Sequence, residues 1–388
     1  MSQVVASPPI DEPDSDGART AGWWEACEEP GRVVCRLCPR GCSLAPGDRG
    51  FCFVRQNRGG RLVSTTYGRS TGFCVDPIEK KPLHQFFPGT GVLSFGTPGC
   101  NLGCKFCQNW TTTKSRDVEM MCEAAAPEAI AEAAVQLGCR SVAFTYNDPI
   151  VWTEYAIDTA KACRRRSLKT VAVTSGYMSP APRQALYEHI DAANVDLKGF
   201  REEFYSRLAG GHLEPVLDTL RWLARETEVW LEITNLVIPG ENDSPEEIDR
   251  MCRWIAGELG VDVPLHFSAF HPDFRMRDRG PTPLATLTMA HEIACRAGLR
   301  YVYTGNVADR EHQATYCPEC RRTVIERDGF EVRRYEVRDG RCGACGATIA
   351  GRFDGAPGQW NGRRLPVRIA DYAPAMPVHR PSPPAPLP

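Results

Sequence analysis

Cys100, Cys104 and Cys107 stand at C-x3-C-x2-C spacing in the stretch Gly96-Thr-Pro-Gly-Cys100-Asn-Leu-Gly-Cys104-Lys-Phe-Cys107. Three thiolates on one short loop hold three irons of a [4Fe–4S] cluster, which takes four cysteines when fully ligated. The missing fourth ligand leaves one iron open to another molecule, as catalytic metal sites do. The glycines let such a loop wrap a bulky cluster and aim backbone N–H groups at its sulfurs. Zinc is the competing occupant, but it wants a fourth ligand nearby, and Asn101 and Gln108 are poor donors to it. A loop with no metal is the other alternative.

Two further cysteine sets flank this one. Upstream, Cys35, Cys38 and Cys42 are followed by Cys52, four thiolates that satisfy either a structural zinc or an auxiliary [4Fe–4S] cluster. Ligand count alone leaves both open, because soft thiolates suit either metal. Downstream, Cys317-Pro-Glu-Cys320 and Cys342-Gly-Ala-Cys345 are two C-x2-C knuckles around Val324-Ile-Glu-Arg-Asp328-Gly329-Phe-Glu-Val, which reads as two strands joined by an Asp-Gly turn. That is a zinc-ribbon pattern with a closed four-cysteine site; a rubredoxin-like iron is the rival. A hairpin this small cannot bury enough apolar surface alone, so the metal supplies its folding free energy. Cys27 and Cys74 lack spaced partners, while Cys122, Cys139, Cys163, Cys252 and Cys295 read as small buried hydrophobes.

Positioning these thiols requires strands and helices in alternation. Short apolar runs at Val92–Phe95, Ser141–Tyr146, Thr170–Thr174, Ala193–Leu197, Val229–Ile238, Leu265–Phe270 and Tyr301–Tyr303 are separated by helical stretches. The clearest helix follows Ser244, which with Glu247 forms a capping box and has Pro245 at the first helical position. Ile248, Met251, Cys252, Ile255 and Leu259 then recur at helical spacing. Alternation with fully apolar strands predicts an α/β fold on a parallel sheet, and the strand count and length favour a partial (β/α) barrel. Such folds carry their chemistry at the C-terminal ends of the strands, where the cysteine triplet falls. The chain divides into a disordered start (1–22), a cysteine-rich segment (23–88), the α/β core (89–308), the ribbon (309–352) and a proline-rich floppy tail (353–388).

Composition narrows the function classes. The 388 residues carry 46 basic and 48 acidic side chains, so a net charge of −2 gives no bulk attraction to nucleic acid or anionic membrane. No run approaches the roughly 20 apolar residues of a membrane span. The polar, acidic stretch from Met1 to Thr20 has no secretory-signal pattern, which reads as a reducing, cytoplasmic setting. There, clustered cysteines bind metal or do redox chemistry rather than form a disulfide framework.

The cysteine triplet with Phe106 before its last member resembles the cluster loop of the radical S-adenosylmethionine (SAM) superfamily. Further stretches resemble the radical SAM enzymes of the AmmeMemoRadiSam system: Pro77-Ile-Glu-Lys-Lys-Pro-Leu-His84, the Phe-Pro-Gly of residues 87–89, Leu93-Ser-Phe-Gly96, Phe106-Cys-Gln-Asn-Trp110 and Thr145-Tyr-Asn-Asp-Pro149. So do Val195-Asp-Leu-Lys-Gly-Phe200, Ile238-Pro-Gly-Glu-Asn-Asp243, His266-Phe-Ser-Ala-Phe-His-Pro-Asp273 and Tyr301-Val-Tyr-Thr-Gly-Asn-Val307. The resemblance runs from about Cys35 to Gly351. That family is related to the activating enzymes of glycyl radical enzymes, such as that of pyruvate formate-lyase.

The resemblance implies a [4Fe–4S] cluster on Cys100, Cys104 and Cys107 whose open iron takes SAM. Reductive cleavage then yields a 5′-deoxyadenosyl radical for hydrogen abstraction, with the cofactor supplying the hard chemistry. It implies that Asn147 and Asp148 meet the SAM amino group, with Asp148 where the family usually has Glu. An Asx-type turn is the bland alternative for Asp148. Ser175 and Gly176 match a position lining the SAM pocket, or an ordinary turn. Asp196 and Lys198 alternate along a strand end and so share a face; the resemblance puts them beside SAM, a solvated ion pair being the alternative. His271 matches a histidine near the nucleoside, or is a core or surface histidine. Implied partners are an electron donor of the flavodoxin or ferredoxin type and Memo-like and AMMECR-like proteins. The expected function is therefore a radical SAM enzyme, with an activase-like role on a partner protein set against modification of a small molecule or RNA. A non-catalytic zinc-binding interaction protein is the contrasting class.

Overall fold

The computed structural model describes residues 18–114, 123–360 and 362–372. Its main sheet has nine strands: β1 (Phe73–Pro77), β2 (Gly91–Phe95), β3 (Ser141–Phe144), β4 (Lys169–Thr174), β5 (Ala192–Asp196), β6 (Trp230–Val237), β7 (Leu265–Ala269), β8 (Val302–Gly305) and β9 (Leu365–Val367). From β2 to β8 the strands are parallel and lie side by side in chain order, with pairs such as Phe144↔Phe95 and Asp196↔Thr234 setting the register. β1 and β9 extend this sheet antiparallel beyond β2, so it is open, with β8 and β9 at its two edges. All seven sequence-derived strands are present.

The connecting helices are α1 (Pro127–Gln136), α2 (Thr153–Arg165), α3 (Pro180–Tyr187), α4 (Glu214–Glu226), α5 (Pro245–Glu258) and α6 (Leu284–Arg296). Proline in the first turn of α1, α3 and α5 gives up an N–H that no helical carbonyl would take. Ser244 caps α5 as its type demands, its hydroxyl accepting the Glu247 amide at 3.2 Å. The other half of the expected capping box is diverted: the Glu247 carboxylate accepts from Phe200 N at 2.8 Å and pairs with Arg201 at 2.5 Å. Ile248, Met251, Cys252 and Ile255 face the main core.

The second face of the sheet is covered differently. Val92, Ala143, Val171 and Ala192, one from each of β2 to β5, pack on Ile78, Leu83, Phe86 and Phe87 of the segment after β1. Glu232 of β6 anchors that segment by accepting the amides of His84 and Gln85 at 3.0 and 2.8 Å. The downstream cysteine module packs its core on Tyr301 and Tyr303. Its hairpin, Thr323–Asp328 and Glu331–Tyr335, turns at Gly329 and Phe330, not at Asp328 and Gly329, since Asp328 pairs with Glu331. Gly329 takes the left-handed conformation there, with φ of 61°.

Both ends of the chain correct the composition-based boundaries. Residues 18–22 are ordered: Arg19–Thr20 pairs with Arg61–Ser64, and Ala18 and Ala21 are buried. In the expected tail, β9 pairs with β1, Val367 and Ile369 are buried, and Trp360 packs on Gly91. Backbone pairing does not need an apolar run, so composition missed both. Residues 1–17, 115–122 (with Cys122), 361 and 373–388 lie outside the described residues.

Candidate active site

The cysteine triplet lies on the loop leaving the C-terminal end of β2. Glycine is required at two places in it. A Cβ on Gly96 would stand 2.2 Å from the Thr145 carbonyl oxygen, and one on Gly99, whose φ is 92°, would stand 2.6 Å from the Cys52 carbonyl oxygen. The loop is held by named bonds. Asn147 Nδ2 donates to Gly99 O at 2.8 Å and Thr97 Oγ1 at 3.1 Å, while its Oδ1 accepts from Thr97 N and Trp152 Nε1, each at 3.1 Å. Asn101 Nδ2 donates to Tyr177 O at 2.7 Å, and Gly103 N and Lys105 N reach Ala209 O and Leu208 O at 2.8 and 2.9 Å.

A cavity of about 250 Å³ opens beside this loop, at the C-terminal ends of the strands. Cys100, Cys104 and Cys107 all line it, with Phe106, Asn147, Asp148, Ser175, Asp196 and Lys198. A larger cavity of about 430 Å³ sits at the opposite strand ends, against Phe86, Tyr187 and Trp222, and no cysteine lines it. Chemistry, not volume, therefore picks the site.

The cavity lining carries two carboxyl groups, Asp148 and Asp196, and one ammonium, Lys198. Burial pushes the Cys100 thiol up to about 12 and the Cys104 thiol up to about 11, so neither ionises readily without a cationic acceptor. Both carboxylates of the lining are already engaged. Asp148 accepts from Thr174 Oγ1 at 2.9 Å, Ser175 N at 3.0 Å and Ile150 N at 3.2 Å, and from the Ser175 hydroxyl. Burial nonetheless raises its pKa. Asp148 thus caps the Pro149–Trp152 turn, the Asx-type turn weighed as its bland alternative, and also lines the cavity. Asp196 is paired with Lys198 Nζ at 2.8 Å. Burial opposes the Lys198 charge, but Asp196 and Cys104 outweigh it and hold the ammonium above the ordinary lysine range. Three thiols with no uncommitted fourth ligand in the lining fit a four-iron cluster with one open iron better than a closed zinc site.

Two expected site residues stand elsewhere. His271 is exposed and outside the cavity lining: Phe270 turns into the core, its amide on Thr282 Oγ1 at 2.8 Å, and the next side chain faces out. Gly176 also lies outside the lining; with φ of 67° it serves the backbone, its amide on Thr174 Oγ1 at 3.1 Å. Sequence reasoning passed over Tyr146, Thr234, Leu236, Ser268 and Asn306, which do line the cavity. Thr234 and Leu236 alternate along the end of β6, so the period-2 rule used for Asp196 and Lys198 would have found them.

Of the two flanking sets, the downstream one assembles. Cys317, Cys320, Cys342 and Cys345 bring their sulfurs within 4.8 Å of one another, with Cys317 3.6 Å from Cys345 and Cys320 3.8 Å from Cys342. Upstream, Cys35 and Cys52 are buried and Cys38 and Cys42 half-buried, the Cys42 and Cys52 sulfurs both flanking Gly50. Every cysteine among the described residues is a free thiol. Cys139, Cys163 and Cys252 are buried as expected, but Cys295 is exposed, 3.8 Å from His291 Nδ1, because it lies off the core-facing stripe of α6. Among the described residues, no helix is long and apolar enough to cross a membrane.

A three-thiol loop at the C-terminal ends of a parallel α/β sheet, with a cavity beside it, defines a metal-dependent enzyme class. The profile of the Radical SAM superfamily matches residues 95–255. An uncharacterized protein of Methanocaldococcus jannaschii, MJ0808, is 40% identical over 333 residues, covering 85% of this chain and 98% of its own. The chain belongs to the radical SAM superfamily, which implies a [4Fe–4S] cluster and SAM. The 4-hydroxyphenylacetate decarboxylase activating enzyme of Clostridium scatologenes is 25% identical over 117 residues, 29% of this chain and 37% of that enzyme. Among solved structures, a radical SAM methyltransferase from Sphaerobacter thermophilus aligns at 16% identity over 56% of this chain and 67% of its own, with a TM-score of 0.45. A domain of pyruvate-formate lyase-activating enzyme from Bacteroides vulgatus aligns at 17% identity over 43% and 99%, with a TM-score of 0.38.

Proposed function

We propose that this protein is a radical SAM enzyme of the AmmeMemoRadiSam type with an activase-like role, abstracting hydrogen from a partner protein. The observation that carries the reading is the convergence of Cys100, Cys104 and Cys107 on one cavity whose carboxylates are already committed. A cluster held there by Cys100, Cys104 and Cys107 would supply single-electron reducing chemistry toward the sulfonium of SAM.

The chain's own residues bind and orient. The three thiolates hold the cluster, and Asn147 keeps their loop in place. Asp148, held by Thr174 and Ser175, places a buried carboxyl group in the wall of the SAM pocket, and the Asp196–Lys198 pair presents fixed charges beside the nucleotide. Phe106, packed 5.8 Å from Phe204, keeps water from the cluster side. Memo-like and AMMECR-like proteins are the proposed partners, with a flavodoxin- or ferredoxin-type electron donor, in the cytoplasm.

The downstream module is proposed to be a zinc ribbon. Zinc–sulfur bonds near 2.3 Å in a tetrahedron place sulfurs about 3.8 Å apart, and the Cys317–Cys345 and Cys320–Cys342 separations are 3.6 and 3.8 Å. The upstream four thiols are proposed as a third metal centre, holding zinc or an auxiliary iron–sulfur cluster.

Anaerobic reconstitution with iron and sulfide, then reduction in the presence of SAM, tests the main reading. Methionine and 5′-deoxyadenosine are expected, and Cys104→Ala should abolish both. Release of 5′-deoxyadenosine by iron-free protein would overturn it.

A further inference from the structure

Tyr146, the residue before Asn147 and Asp148, is held in a backbone shape that its side chain disfavours. It follows the end of β3 with φ of 68°, and the amide of Asn147 donates back across it to Thr145 O at 2.9 Å. A bond spanning one residue at positive φ marks the rare, strained form of the γ-turn. Among the described residues that line the cavity, Tyr146 and Asn306 are the non-glycines with positive φ. Asparagine tolerates that region; a bulky aromatic residue stays there where its surroundings hold it.

The holding group is Asp76 of β1. Its Oδ2 accepts the Tyr146 hydroxyl at 2.9 Å and Lys81 Nζ at 2.6 Å, and its Oδ1 accepts Lys80 Nζ at 3.1 Å. Lys81 Nζ also lies 4.8 Å from the centre of the Tyr146 ring. The side chains of Asp76 and Lys81 are buried, at 0% and 3% exposure. Two buried charges are unfavourable unless matched and hydrogen-bonded, but a charged acceptor holds a hydroxyl about twice as strongly as a neutral one. Asp76 lies outside the cavity lining, so it reaches the cavity through Tyr146.

The turn lets consecutive side chains serve opposite neighbours. β3 lies between β2 and β4. Asn147 reaches Gly99 and Thr97 on the loop after β2, and Asp148 reaches Thr174 and Ser175 at the end of β4.

We propose that Asp76, paired with Lys81, is a positioning residue of the SAM pocket. By holding the Tyr146 hydroxyl it keeps the strained turn that sends Asn147 to the cluster loop and Asp148 into the cavity wall. The hold on the turn stands on these distances; its consequence for SAM rests on the radical SAM reading.

Alanine and glycine at position 146 both lack the ring and hydroxyl and differ in how freely they take positive φ. The full chain is reconstituted anaerobically and titrated with SAM by calorimetry. Tyr146→Ala should bind more weakly than the wild type, and Tyr146→Gly roughly tenfold more tightly than Tyr146→Ala. Asp76→Asn should weaken binding in the wild-type background and add nothing in Tyr146→Gly, where no hydroxyl is left to hold. Kd is the quantity compared, because stoichiometry follows iron content. Asp76→Asn/Lys81→Met removes both buried charges and serves where the unpaired lysine stops folding. Equal Kd for Tyr146→Ala and Tyr146→Gly, or wild-type affinity once Asp76 is replaced, overturns the proposal. A reconstituted wild-type chain that binds no SAM would sink the radical SAM reading instead. Hydrogen exchange at the Asn147 amide then still decides the hold on the turn: it should be faster in Asp76→Asn than in the wild type, and an unchanged rate overturns it.

Discussion

Asn147 donates through its side-chain amide to the carbonyl oxygen of Gly99 at 2.8 Å, tying the end of β3 to the middle of the cluster loop. The same amide engages Thr97 and Trp152, so it belongs to the loop's scaffold as much as to the cavity wall. Removing it strands several buried polar groups at about 1–3 kcal/mol each. Asn147→Ala should therefore fold, yet load less than half the iron of the wild type at the catalytic site. Iron and sulfide analysis in a background lacking the upstream cysteines measures this directly; full loading would assign Asn147 no role in the loop.

Lys198 and Asp196 are a partly buried pair at the cavity floor. Lys198→Met leaves the Asp196 carboxylate without its cation, an unpaired negative charge in the cavity wall. SAM binding should weaken by roughly tenfold, about 1.4 kcal/mol, with Lys198→Arg recovering part of it. Calorimetric titration of reconstituted protein with SAM gives the number, and an unchanged Kd would put the pair outside the binding site.

Glu79 introduces a pH dependence of stability away from the cavity. Burial raises its carboxyl from an ordinary 4.5 to about 7, with Arg327 at 3.9 Å and the Gly89 amide opposing only in part. The folded state thus keeps a proton that the unfolded chain loses near 4.5. Stability from this group is complete below that pH, falls as pH rises toward 7, and is flat above. The full loss is about 3 kcal/mol. Glu79→Gln keeps the acceptor for Gly89 and should flatten the decline in melting temperature between pH 5 and 7. A wild-type chain whose melting temperature does not fall over that range would contradict the assignment.

Loss of the ribbon metal should be felt where the ribbon meets the sheet. Arg327 is buried and donates to His84 O at 2.5 Å and Thr315 Oγ1 at 2.9 Å, and the ribbon core rests on Tyr301 and Tyr303. Cys320→Ser should reduce zinc from one per chain to none. An early unfolding step should appear in calorimetry, while the iron content stays the same. A single unshifted transition would show that the module folds without its metal.

The triplet Cys100, Cys104 and Cys107, the parallel order of β2 to β8 and the two C-x2-C knuckles were legible in the chain. Each is a local pattern: ligand spacing on a loop, apolar runs, and a hairpin between paired thiols. Asp196 and Lys198 were legible for the same reason, since strand alternation fixes a shared face. The exposure of His271 was not legible, because one buried neighbour, Phe270, decides which way the chain turns. The pairing of β9 with β1, the engagement of both cavity carboxylates and the seating of Gly50–Cys52 on the catalytic loop join residues far apart in sequence. Such contacts depend on where whole elements pack, and no spacing along the chain encodes them. Sequence alone therefore determined which atoms could bind metal, and tertiary structure decided which of them face one cavity and which thiol sets stand next to each other.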